Sequence, residues 1–126
     1  MGYRIPAVMA AVATRFIPVN NAPILDAGCG GGIQAEPLSM LGYGPIAGID
    51  LSEGMLEVAR AKNLYQELRQ MTLGEKLDFS DDQFAAIISS GTITPHHALP
   101  KSFEELIGIA RRGAPIIFTV RDDPAQ

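Results

Sequence analysis

The stretch Pro23-Ile-Leu-Asp-Ala-Gly-Cys-Gly-Gly-Gly32 constrains this chain more than any other. Ile24 and Leu25 form an apolar run that Asp26 closes, and glycines follow at 28, 30, 31 and 32. That order reads as a strand, a sharp turn and the start of a helix, expected over residues 34–41. Glycine lets the turn enter left-handed conformations and lets a ligand approach bare backbone. A strand, turn and helix of this kind open a crevice at the carboxyl end of the first strand of an α/β sheet.

Eighteen residues after Gly32, Pro45-Ile-Ala-Gly-Ile-Asp50 repeats the pattern of an apolar strand ended by a carboxylate. An acid at that tip can accept hydrogen bonds from the two neighbouring hydroxyls of a ribose. A dinucleotide is one candidate ligand, but G-x-G-x-x-G requires glycine at position 33, where the chain has Ile33. A carboxylate at Asp26 would also repel a pyrophosphate and attract an ammonium or sulfonium group. The residues favour an adenosine-like molecule with a positive end.

The remaining elements follow from periodicity. A helix is expected from about Pro6, with Val8, Val12 and Phe16 on its packed face. Ser52 is the expected N-cap of a helix whose inward stripe is Met55, Leu56 and Ala59. Residues 65–71 alternate as a third strand at a sheet edge, with Tyr65, Glu67 and Arg69 on one face and Leu68 and Gln70 on the other. Residues 84–89 are almost wholly apolar, as in a parallel strand buried on both faces. A loop is expected from Ser90 to Lys101, then a capping box at Ser102-Phe-Glu-Glu105. That box would open a helix with Phe103, Leu106, Ile107 and Ala110 inward, stopped by Gly113. Residues 115–120 give a fifth strand. Strands alternating with helices predict a doubly wound, Rossmann-like parallel sheet with helices on both faces.

A chain of 126 residues allows one domain, 1–126, with residues 1–22 as N-terminal helix and lead-in and 23–121 as core. A net charge of −4 argues against a nucleic-acid grip resting on electrostatics. No apolar run approaches the roughly 18 residues of a membrane span. Cys29 is the sole cysteine, which excludes an intramolecular disulfide and favours a cytoplasmic setting. Position 29 needs only a small residue between glycines. Asp78, Asp81 and Asp82 lack calcium-loop spacing and read as a solvated turn, so no metal is expected. The only histidines, His96 and His97, fall in the loop expected to face substrate, and His96 is the candidate catalytic base.

ILDAGCGGG, then GIDLSEGML, FAAIISSG and IIFTVR, resembles the class I S-adenosylmethionine-dependent methyltransferases over Ile24 to Arg121. Within them it is most similar to small methyltransferase-like proteins of the Williams–Beuren-region type. The resemblance implies strand order 3-2-1-4-5, S-adenosyl-L-methionine as cofactor and a small-molecule methyl acceptor. It implies that the turn through Gly28, Cys29, Gly30 and Gly32 lies against the cofactor's methionine part while Asp26 helps hold its ammonium. Asp50 would bind the ribose, Leu51 and Met55 would cover the adenine, and Ser89 and Ser90 would complete the amino-acid pocket. Thr72, followed by Leu73, stands where the family usually has an acid that accepts from the adenine amino group. The family's common Phe-Asp before the fourth strand is Phe84-Ala85 here. The alternatives are a cofactor-binding module without turnover and a different nucleotide-dependent Rossmann enzyme. The family generally continues past the fifth strand with a helix and an antiparallel hairpin, whereas only residues 122–126 follow Arg121. Truncation there predicts either a homodimer through the fifth-strand edge or one piece of a longer enzyme.

Overall fold

Five parallel strands in the order β3-β2-β1-β4-β5 carry the chain. The computed structural model describes residues 4–93 and 99–120, and side chains within 7–89 and 101–118. In chain order the elements are α1 (Arg4–Phe16), β1 (Ile24–Ala27), α2 (Ala35–Met40), β2 (Ile46–Asp50), α3 (Glu53–Ala61), β3 (Glu67–Gln70), β4 (Ala86–Ile93), α4 (Leu99–Ile109) and β5 (Ile116–Val120). The expected fold class and strand order are both present.

β1 is the centre of the sheet, in register with Ile46–Ile49 of β2 on one side and Ala86–Ile88 of β4 on the other. Every residue of β1 is buried, because helices cover both faces and successive side chains enter opposite layers. Ile24, Ile46, Ala86 and Ile88 pack with Met9, Ala13, Ile17 and Leu38 of the α1 and α2 side. Leu25, Ala27, Ile49 and Ile87 pack with Phe84, Leu77, Leu106 and Ile109 in the second layer.

Several local expectations are corrected. The packed face of α1 is Met9, Ala10 and Ala13, while Val8 and Phe16 are exposed. Of the α3 stripe, Leu56 and Ala59 are buried but Met55 is 43% exposed. β4 continues to Ile93 and α4 begins at Leu99, so most of the expected loop from Ser90 to Lys101 is regular structure. Proline is favoured in a first helical turn, and Pro100 lets α4 start ahead of Ser102. Ser102 is thus a buried interior residue rather than a cap, and Glu105 accepts the backbone N–H of Leu77 at 2.8 Å. Ile107 faces solvent and Ile109 takes the inward position. β3 begins only at Glu67, and Tyr65 and Leu68 both reach over Gly48 of β2. At Phe84-Ala85 the backbone is held without an acid: Phe84 N–H donates to Ile109 O, Arg111 N–H to Phe84 O, and Ala85 N–H to Pro23 O.

Candidate functional site

The glycine turn after β1 is tied to the tip of β2. Gly28 and Gly30 adopt φ of 74° and 54°, conformations that side-chain-bearing residues rarely take. The N–H groups of Gly28 and Cys29 both donate to Ile49 O at 2.8 Å. Gly30 N–H donates to Asp50 Oδ1 at 3.1 Å, and Ser52 N–H donates to Asp50 Oδ2 at 2.9 Å. One carboxylate therefore fixes both the glycine turn and the start of α3. There Ser52 Oγ accepts from Met55 N–H, which is the expected N-cap.

Beside Asp50 lies a cleft of about 240 Å³ lined by Gly28, Asp50, Leu51, Met71, Thr72 and Leu73. Its position at the carboxyl ends of β1, β2 and β3 is where open α/β sheets bind ligands. Gln70 Nε2 donates to Leu51 O at 2.9 Å, tying the third strand to the loop after β2. Leu51, Met71 and Leu73 give the walls an apolar character suited to a flat base, with the Thr72 hydroxyl and the Asp50 carboxylate as polar groups. A Cβ added at Gly30 would meet nothing within 4 Å, so the turn faces open space.

Five of the expected binding residues, Gly28, Asp50, Leu51, Thr72 and Leu73, thus line one cleft, and Met71 joins them. Gly30 is bonded to its edge through Asp50. The others lie elsewhere. Gly32 packs against Ala59, Lys62 and Tyr65, where a Cβ would be 3.3 Å from the Lys62 side chain. Cys29 is buried, and burial pushes its thiol up to about 12, the carboxyls of Asp26 and Asp50 adding to the effect. Met55 is not among the lining residues, and Ser89 is fully buried in β4. Ser90 belongs to β4, its side chain lying outside the described residues, and His96 and His97 also lie outside them.

Asp26 is fully buried on the α2 side of β1 and is not part of the cleft wall. Its Oδ2 accepts from the Tyr65 phenol at 2.7 Å. Desolvation raises the Asp26 carboxyl to about 7, against the lowering effect of the Tyr65 hydrogen bond, with Asp50 raising it further. Desolvation and the adjacent Asp26 carboxylate push the Tyr65 phenol well above its usual range. Tyr65 is a site residue that sequence reading missed, because it precedes β3 and meets Asp26 only through the tertiary fold. Among the described residues no cluster of side chains suits a metal ion, and no helix is long and apolar enough to cross a membrane.

Comparison with known proteins matches this architecture. The chain is 33% identical over 131 residues to human methyltransferase-like protein 27, covering 98% of this chain and 51% of that protein. It is 46% identical over 55 residues to the ubiquinone biosynthesis O-methyltransferase of Hydrogenovibrio crunogenus, 44% of this chain and 22% of that one. The chain therefore spans about half the length of the first of these curated relatives, and less of the second. A Methanococcus maripaludis structure described as a putative S-adenosyl-L-methionine-dependent methyltransferase superposes with a TM-score of 0.80 at 20% identity, over 92% of this chain and 55% of that one. Residues 24–113, the span from β1 to the end of the α4 turn, match the methyltransferase domain family, and the chain belongs to that family.

Proposed function

We propose that this chain binds S-adenosyl-L-methionine and transfers its methyl group to a small-molecule acceptor. The observation that carries the reading is the Asp50 carboxylate, bonded to the glycine turn and set at the edge of an apolar cleft. Both Asp50 oxygens retain acceptor capacity beyond their single backbone N–H bonds, as a ribose diol requires. Leu51, Met71 and Leu73 would exclude water around the adenine, the Thr72 hydroxyl would accept from its amino group, and the bare backbone at Gly28 and Gly30 would lie along the methionine part. The bound cofactor supplies an electrophilic sulfonium methyl. The protein's share is then chiefly positioning, which is worth roughly 7 to 11 kcal/mol when reactants are held in line.

His96 is the proposed base for the acceptor, from its place in the sequence between β4 and α4. The ubiquinone-pathway relative supports a small organic acceptor, and the lone cysteine supports a cytoplasmic setting. Asp50→Ala removes a charged acceptor, a loss of about 1.5 to 3 kcal/mol, so S-adenosylmethionine should bind at least tenfold more weakly by calorimetry. Unchanged affinity in a folded variant would remove the ribose assignment. Binding of NAD in preference to S-adenosylmethionine would point to another nucleotide-dependent enzyme, and cofactor binding without methyl release to a module that does not turn over.

A further inference from the structure

Beneath the glycine turn lies a polar pair that the cleft does not explain. Asp26 has no solvent exposure, its Oδ2 takes the Tyr65 O–H at 2.7 Å, and its Oδ1 has no hydrogen-bond partner among the described residues. Tyr65 is itself locked in place. Its ring lies 2.8 Å from a Cβ built at Gly48 and 3.4 Å from one built at Gly32, so two glycines make the room that the phenol occupies. An unpartnered acceptor that deep is costly and calls for an explanation. A carboxyl with one oxygen held and the other empty can be neutral, or charged when a nearby cation compensates it.

We propose that Asp26 and Tyr65 form a buried couple that sets the charge beneath the glycine turn, so that binding a cationic ligand in the cleft is linked to release of one proton. The inference rests on the S-adenosylmethionine reading and adds to it a positioning residue, Tyr65, and a pH dependence. Asp26 is two residues from Gly28 of the cleft wall and feels the charge of Asp50 on that same wall, so a cation bound there acts on it too. Without ligand, the Asp26 carboxyl is poised near neutrality by burial and by Asp50. On binding, the O–H bond of the protonated carboxyl breaks, the proton leaves to solvent, and the carboxylate keeps the electron pair and the Tyr65 hydrogen bond. Of the other groups around it, Tyr65 and Cys29 are both shifted upward, away from neutral pH, and Lys62, beside Gly32, is paired with Glu36 at 3.0 Å. Asp50 is the neighbouring carboxylate that acts on Asp26, and its two oxygens accept the Gly30 and Ser52 N–H groups.

Calorimetry of S-adenosylmethionine binding at pH 6, 7 and 8, in buffers of different ionisation enthalpy, counts the protons exchanged. The ligand's own α-amino group titrates near pH 8 and is protonated both free and bound at pH 6, so the readout is wild type minus Asp26→Asn at pH 6. The expected difference is release of up to one proton, greatest at pH 6, with wild-type affinity rising by up to about tenfold per pH unit below neutrality and Asp26→Asn lacking that rise. Tyr65→Phe, which keeps the ring, should move the proton release to higher pH and weaken binding at pH 7, and thermal melts establish that both variants are folded. Equal proton counts in wild type and Asp26→Asn would overturn the couple, and an unshifted profile in Tyr65→Phe would remove Tyr65 from it. Absence of binding at every pH would instead overturn the cofactor reading, and this inference with it.

Discussion

Asp50 holds two backbone turns with one side chain, and its neighbour across the cleft is a neutral Thr72. If Thr72 faces the adenine amino group, Thr72→Asp should tighten S-adenosylmethionine binding through a charge-assisted hydrogen bond. Calorimetry showing equal or looser binding would remove that contact. Asp26 makes a prediction of its own for the ligand-free protein. Its folded carboxyl lies near 7 against an ordinary value of 3.8, so between those values the folded state binds more protons than the unfolded one. Stability from this group is then fully present below about pH 4 and is lost as pH rises through 7, by up to about 4 kcal/mol for an uncoupled group. Melting temperature should therefore fall less between pH 5 and 7.5 in Asp26→Asn than in wild type. A slope identical in the two proteins would show that Asp26 does not titrate in that range.

At the scale of elements, β2 has a glycine where its neighbours leave no room. A Cβ at position 48 would come within 2.7 Å of Leu68 Cδ2 and 2.8 Å of the Tyr65 ring, and that ring is held by its bond to Asp26. Gly48→Ala should destabilise the fold by about 1 to 3 kcal/mol, as overpacking does, and urea unfolding at two pH values would measure it. The strands themselves were legible because parallel strands buried on both faces are unbroken apolar runs, as at Ile24-Leu25 and Ile87-Ile88. Helix faces were less so. In α1 and α4 the apolar residues nearly surround the axis, so Val8 and Ile107 competed on equal terms with Met9 and Ile109 for the core. Most of the cleft could be read from two motifs, since Gly28, Asp50 and Leu51 sit at strand ends. Tyr65 could not, because its partner is 39 residues away and no local pattern links them.

For the molecule as a whole, β5 has a strand partner on one side only among the described residues. Its inner face carries Ile116 and Phe118, with Phe118 edge-on to Phe103 at 4.8 Å between ring centres, and Ile117 faces the other layer. Open strand edges with apolar flanks tend to be paired or covered, so this chain alone should self-associate at micromolar concentration. Light scattering tests this, and a monomer there would remove the homodimer reading. The position of β1 has a kinetic meaning as well. It is flanked by β2 and β4, so its second side is completed only by residues 86–88, about 60 positions after Ile24. The most buried strand thus waits longest for its last partner, and contacts so distant in sequence are slow to form. Refolding should take milliseconds to seconds rather than microseconds.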